Sequence, residues 1–519
     1  MTAELSATRG GRRSNVERMA RAGGVSLAGA GVAAIAGVAL MALITNNFDK
    51  PTAGRILTST SLFLIATAVV QLGTDIGLVR WIPTLLVRGH GHQVRPVVRI
   101  ALVPVLGASL LVALLGFTFS SQLAGIIDHN PDGGHLARQI QVLALFLPVA
   151  SVYNTVLAAT RGFRTQVPTA VTESLGRVLL QLLCVGAALL LGLGAVSIVM
   201  VWSLPYAAGL VVAIAWFRAL LRRRVPLDDV PNDDAIVQES GRAFWRYTAP
   251  RAIGTASQVA LKRSDIILVA ALRSPRDAAL YAAATRFVVL GQLGVQALQQ
   301  ALSPQLSALF AQDDSSGVRE VYRATTAWAM LLAWPVYLSC AVLAPDLLKV
   351  FGHGYSQVAP VVVLLSIAML AATACGAVDT VLLMSGHTWL SLGNNLCALG
   401  LNVGLNLVLI PAYGALGAGI SWTVSIVVRN LLPLLQIAWK YHISPVGRET
   451  ALVAVFSVAT LGVVPGLLRV MSVPTMGVLA ALVLGGLVFL AITWRFRDEL
   501  QLGVFASMVR RRRERERVA

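Results

Sequence analysis

Apolar segments of about 20 residues recur from residue 25 to residue 495, separated by short polar breaks, and that is the length an α-helix needs to cross the hydrocarbon core of a bilayer. No water is present there to pair backbone N–H and C=O groups, so each segment must satisfy them internally, and a helical bundle is the expected fold. Spans are expected near residues 25–46, 57–79, 100–120, 139–160, 170–191, 195–217, 250–272, 279–303, 325–344, 358–384, 390–411, 415–438, 450–470 and 476–495. That makes an all-α polytopic membrane protein of about 14 transmembrane helices. The 519-residue chain is 56% hydrophobic and only 13% charged, where soluble domains carry roughly a quarter charged residues.

The net charge of +18 raises the question of a nucleic-acid partner, but the basic residues sort by side, which argues against that reading. With the N-terminus in the cytoplasm, the inside segments hold Arg9, Arg12, Arg13, Arg18 and Arg21, then Arg80, Arg88, Arg95 and Arg99. Further on, the same side holds Arg218, Arg222, Arg223, Arg224, Arg242 and Arg246, and the tail from Arg510 to Arg517. Both termini are therefore expected in the cytoplasm, the number of spans is expected to be even, and the tails suit contact with anionic membrane lipids. The first apolar run, about 22 residues long, exceeds a signal-peptide core and is expected to stay as an uncleaved span. Cys184, Cys340, Cys375 and Cys397 all fall inside expected spans with no paired spacing, which suits packing rather than disulfides or metal.

The longest cytoplasmic break, 218–249, carries RRRVPLDDVPNDD and is read as a linker. The expected division is a basic tail at 1–24, a six-helix lobe at 25–217, the linker, a second six-helix lobe at 250–440, two extra helices at 441–495 and a basic tail at 496–519. A weak internal repeat supports two lobes: VYNTVLAATRG at 152–162 parallels VDTVLLMSG at 378–386, and GAVSIVMVWS at 194–203 parallels GALGAGISWT at 414–423. Six is even, so both lobes cross in the same sense, as expected for a pseudo-two-fold axis along the membrane normal. Prolines such as Pro104, Pro148, Pro205, Pro304 and Pro335 fall within or at the ends of spans, where they suit bundles that rock.

A charge at the bilayer centre costs at least about 2.5 to 3.5 kcal/mol, so ionisable residues within spans point to function. Glu173, Arg177 and Gln181 stand at i, i+4 and i+8, on one helical face. Gln258, Lys262 and Asp265 form a second stripe, with Arg263 one position round; Arg286 is followed by Gln292 and Gln296; and Asn395, Asn402 and Asn406 share a face. Arg177, Lys262, Arg263 and Arg286 outnumber the acids Glu173 and Asp265, and a surplus of cations suits an anionic group such as phosphate. In-helix pairing of Glu173 with Arg177 and of Lys262 with Asp265 is the alternative. The acids are candidate coupling groups. No GxxxxGK[ST], HExxH or GxSxG motif occurs, and the seven histidines are scattered, so no catalytic residue, metal or cofactor is expected and the chain reads as a transporter.

Three stretches carry a family resemblance: NLVLIPAYGALGAGISWT at 406–423, QLGTDIGLVRWIP at 71–83 and RSDIILVAALRSPRDAALYAAATRF at 263–287. They resemble the Wzx-like polysaccharide flippases of the multidrug/oligosaccharidyl-lipid/polysaccharide exporter superfamily. The resemblance implies a carrier of undecaprenyl-pyrophosphate-linked oligosaccharide from the inner to the outer leaflet of a bacterial inner membrane, alternating access around a cationic cavity. It implies Arg263 and Arg286 as cavity cations and polysaccharide polymerases or glycosyltransferases as candidate partners. Lipid II flippases and drug/cation antiporters of the same superfamily remain as alternatives, as does a membrane scaffold of a polysaccharide synthase complex. Span 1 carries no charge, unlike the lipid II flippases, and an antiporter would favour acids in its cavity.

Overall fold

The structure is a computed structural model describing Gly29 and residues 31–128, 134–224 and 234–500; side chains at 234–240 and at Ala297, Gln300, Ala301 and Pro304 are outside the description. The Arg-rich tails, except residues 496–500, and the centre of the linker therefore lie outside the described residues. Every regular element among those described is a helix. In chain order they are α1 (Gly31–Asn47), α2 (Lys50–Val70), α3 (Thr74–Val87), α4 (Val94–Thr118), α5 (Ser120–Ile127) and α6 (Gly134–Gly162). Next come α7 (Val167–Leu190), α8 (Ala195–Arg224), α9 (Asp234–Leu272), α10 (Pro275–Ala311), α11 (Ser315–Val342) and α12 (Ala344–Leu348). The last are α13 (Ala359–Ala374), α14 (Val378–Met384), α15 (Thr388–Tyr413), α16 (Ala415–Tyr441), α17 (Arg448–Val470) and α18 (Thr475–Arg495).

Twelve helical segments among the described residues are long and apolar enough to cross a membrane. The window of α4 is only 17% buried within the protein, as is that of α18. Large apolar side chains such as Leu111, Leu114, Leu183, Val408 and Leu484 stand exposed. In water so broad an apolar surface would aggregate; facing lipid tails it is the expected exterior of a multi-pass membrane protein. The expected spans 25–46 and 250–272 fall on the shorter α1 and on the C-terminal part of α9. There Arg251, Lys262, Arg263 and Asp265 dilute the apolar run, so the count of fourteen is not reproduced by length and hydropathy. The expected span 57–79 is displaced: α2 runs from Lys50 to Val70, and the chain turns at Leu72 (φ 51°) and Gly73 (φ 73°) before α3 begins. Asp49 caps α2, accepting from the Thr52 N–H at 3.4 Å, and Pro51 opens its first turn, a helix-start signal that outranks hydropathy in placing the boundary.

Hydroxyls inside the helices are satisfied without leaving them. Thr67, Ser151 and Ser203 each donate to the carbonyl four residues earlier at 2.8–2.9 Å, which spares a polar group in an apolar medium its desolvation penalty. The described chain divides into two compact units. One holds residues 28–282 and 406–414, the other 283–405 and 415 onward, so α10 and α15 pass from one to the other within a helix. In the first unit α6 is central, packed against α2, α3, α4 and α8. One core cluster there joins Leu78, Ile82, Val97, Val98, Phe163 and Phe244. In the second unit α11 packs against α13 and α17, and α13 against α16. Trp334 donates to Thr373 at 2.9 Å, and Leu338, Val453 and Leu482 belong to the core beneath. The division into lobes on either side of the linker stays a proposal.

Candidate functional site

The first unit gathers ionised groups where α6, α7 and α8 meet. Residues Ala170–Arg177 of α7 form widened π-helical turns, a distortion frequent at functional sites. A Cβ on Gly176 would stand 2.8 Å from the Val171 carbonyl, so glycine suits this turn. Glu173 and Arg177 pair bidentately, Arg177 Nη2 and Nε donating to the two carboxylate oxygens at 2.6 and 3.0 Å, while Nη1 donates to Gln181 Oε1 at 2.9 Å. Gln181, 2% exposed, in turn donates to the Trp202 carbonyl at 3.0 Å and so ties α7 to α8. The Arg177 guanidinium lies 5.0 Å from the Tyr206 ring centre, a cation–π contact. Tyr206, Tyr153, Trp202 and Phe63 form an edge-to-face aromatic wall with centroids 5.6–6.1 Å apart. The in-helix pairing weighed from the sequence is therefore present, and all three nitrogens of Arg177 are engaged.

Three further groups join this cluster through space. Arg161, at the end of α6, lies within electrostatic reach of Asp75 and Glu173, and Arg263 on α9 within reach of Tyr206. Asp265, 2% exposed, is a second polar centre: Oδ2 accepts from the Tyr281 hydroxyl at 2.8 Å and Oδ1 from Asn406 Nδ2 at 2.7 Å. Arg273 donates to the Pro411 carbonyl at 3.2 Å, so the 406–414 segment is held to the α9–α10 hairpin at more than one point. Lys262 and Gln258 are exposed on α9, apart from buried Asp265. A second ion pair, Arg55 Nε to Asp128 Oδ2 at 2.6 Å, is buried between α2 and the residue that ends α5.

In the second unit amides and hydroxyls make most of the polar contacts around α15 and α16. Asn395 donates to the Ser391 carbonyl at 2.8 Å and accepts from Arg429 Nε at 2.9 Å. Ser391 donates to Asp379. Asn394 and Gln436 exchange both amide hydrogen bonds at 2.8 and 3.0 Å, joining α15 to α16. Asn402 is fully buried, Arg286 is half-buried, Gln296 is exposed, and Gln292 contacts the Met369 sulfur. Helix 13 gives way to α14 at Cys375, Gly376 and Ala377. Gly376 has φ 72°, and the Tyr322 hydroxyl donates to the freed Cys375 carbonyl, repairing the bond that the break removes.

The structure thus brings together Glu173, Arg177 and Gln181, and separately Asp265 and Asn406. Asn395 is held by a partner that the sequence reading did not name. Reasoning from spacing missed Arg161, Tyr153, Tyr206 and Arg429. Arg429 carried a usable signal, since a mid-span arginine is costly wherever it occurs; the tyrosines carried none, because an aromatic in an apolar helix is ordinary.

The family described as polysaccharide biosynthesis protein matches residues 97–360. A probable low-salt glycan biosynthesis flippase from Haloferax volcanii is 20% identical over 248 residues. That alignment covers 48% of this chain and about half, 50%, of the relative's length. Among solved structures, the lipid II flippase MurJ in an inward closed conformation aligns over 90% of this chain and 97% of its own, with a TM-score of 0.68 at 10% identity. An inward-facing multidrug resistance MATE family transporter of the MOP superfamily aligns over 79% and 94%, with a TM-score of 0.65 at 12% identity. At those identities the likeness is one of fold. The chain is a multi-pass membrane protein with the fold shared by these transporters, and it belongs to the polysaccharide biosynthesis protein family.

Proposed function

We propose that this protein is a secondary transporter that flips undecaprenyl-pyrophosphate-linked oligosaccharide from the inner to the outer leaflet of a bacterial inner membrane, for cell-surface polysaccharide biosynthesis. The observation that supports it most is the set of ionised and amide groups inside membrane-spanning helices of a chain from this family. Such groups are costly in lipid and are kept where they face a path or one another. Alternating access around a cationic cavity is the mechanism, with both termini cytoplasmic. Arg263 and Arg286 contact the pyrophosphate, Lys262 attracts it, and Arg177 lines the cavity paired with Glu173. Gln181, Gln258, Gln292, Gln296, Asn395, Asn402 and Asn406 line the polar surface, and Glu173 and Asp265 are coupling groups. The cycle uses no cofactor, and no nucleic acid takes part. Polysaccharide polymerases or glycosyltransferases are the partners that would supply or consume the cargo.

The test is leaflet transfer of an undecaprenyl-pyrophosphate oligosaccharide in proteoliposomes, comparing wild type with Arg263→Ala and Arg286→Ala at matched insertion. Transfer that both substitutions abolish is expected. A wild type that moves no lipid-linked sugar but exchanges a small cation for protons would replace this reading with an antiporter.

A further inference from the structure

Helix α16 is 27 residues long and holds Arg429 about 21 Å from its first residue at 1.5 Å per residue, close to the middle of the span. A charge at that depth must be compensated or used. It is oriented but not neutralised. Its Nε is fixed by Asn395 Oδ1, and Asn395 is itself fixed through the Ser391 carbonyl. Its Nη1 and Nη2 donate to no group among the described residues, and its side chain is half-buried. Asp379 lies within electrostatic reach yet forms no ion pair with it among the described residues. One Asp379 oxygen is already occupied by the Ser391 hydroxyl.

The contrast with Arg177 defines what this arrangement is for. A carboxylate beside Arg177 takes two of its nitrogens and cancels its charge, whereas a neutral amide beside Arg429 takes Nε alone. The outer edge of the guanidinium, a planar pair of N–H groups, matches two oxygens of one phosphate. We infer that Arg429 is a further contact for a phosphate oxyanion of the transported lipid, in addition to Arg286 in the same unit, with Asn395 as its positioning residue and Asp379 as a nearby competitor that keeps binding weak enough for release. The inference rests on the polyprenyl-pyrophosphate reading above.

The experiment uses the full chain in nanodiscs, with geranylgeranyl pyrophosphate as probe and inorganic pyrophosphate and phosphatidylglycerol as competitors. Arg429→Gln is expected to weaken probe binding roughly ten- to a hundredfold. Arg429→Lys, which keeps the charge but not the fork, should fall between that variant and wild type, and Asn395→Ala should weaken binding several-fold. Asp379→Asn should tighten binding, a change that a purely structural role would not produce. Competition by inorganic pyrophosphate but not by phosphatidylglycerol supports the proposal; displacement by phosphatidylglycerol overturns it in favour of an ordinary phospholipid headgroup. Unchanged affinity in Arg429→Gln, with a wild-type melting temperature, also overturns it while leaving the substrate reading intact. If wild type binds no polyprenyl pyrophosphate, the substrate reading falls and this inference with it.

Discussion

In the unit of residues 28–282 Arg55 and Arg177 are paired with carboxylates inside the protein, whereas in the unit that begins at residue 283 Arg429 is held by an amide. On α7, Glu173 and Arg177 close on each other and Gln181 carries the network to α8. On α15, Ser391, Asn394 and Asn395 reach Asp379, Gln436 and Arg429 with a single guanidinium nitrogen engaged. An ion pair holds helices by cancelling charge and resists rearrangement, because parting it leaves two bare ions in low dielectric. An amide network holds them while leaving charge available for a ligand.

The largest expected effect tests the ionic half. Glu173→Leu leaves Arg177 without its carboxylate and should lower stability by about 3–5 kcal/mol, read as a lower melting temperature in detergent; Glu173→Leu combined with Arg177→Met should recover most of it. Arg55→Met, which removes the arginine from buried Asp128, should also lower stability measurably. The comparison breaks if either costs no more than a neutral substitution in the second unit. There, Asn395→Leu removes one acceptor from Arg429 and should cost about 1–3 kcal/mol. A smaller loss, about 1 kcal/mol, is expected for Tyr281→Phe by the same melting assay, since Asp265 keeps its bond from Asn406. Equal losses for Tyr281→Phe and Glu173→Leu would show that the Asp265 centre, with its uncharged partners, carries as much as the Glu173–Arg177 pair.

The smallest effect concerns pH. Asp346 lies outside the spans on α12, where partial burial works against its charge but the Lys349 bond at 2.7 Å and the Arg469 charge at 3.0 Å hold it below the usual carboxylate range. Its stabilising contribution is therefore present above the unfolded value of about 3.9 and is lost as pH falls through the lower folded value. The melting temperature of wild type relative to Asp346→Asn should be constant from pH 8 to pH 5 and should converge only below about pH 4.

Much of the fold was legible because bilayer thickness converts hydropathy directly into helix length. Twelve of the expected spans correspond to helices that meet that criterion. The seventh was blurred by Lys262, Arg263 and Asp265, the residues that marked it as informative. The second was displaced because Asp49 and Pro51, a capping pair, start its helix before the apolar run suggests. Of the candidate site, the helical period placed Glu173, Arg177 and Gln181 on one face, and the structure joins them. It could not place Asn406 beside Asp265, 141 residues away in sequence, since helical periodicity describes one helix at a time.

Chain length, hydropathy and the run of small and apolar residues determined by themselves that this is a helical multi-pass membrane protein, because lipid leaves the backbone few other ways to satisfy its hydrogen bonds. What faces an arginine that has no acid along its own helix was decided only by tertiary structure. Arg177 and Arg429 are both arginines inside apolar helices, but only Arg177 has a carboxylate at helical spacing in the sequence. A carboxylate one turn away on its own helix closes the first, as its i, i+4 spacing allows, whereas an amide from a neighbouring helix orients the second, a contact set by how helices pack and not by the pattern along either helix.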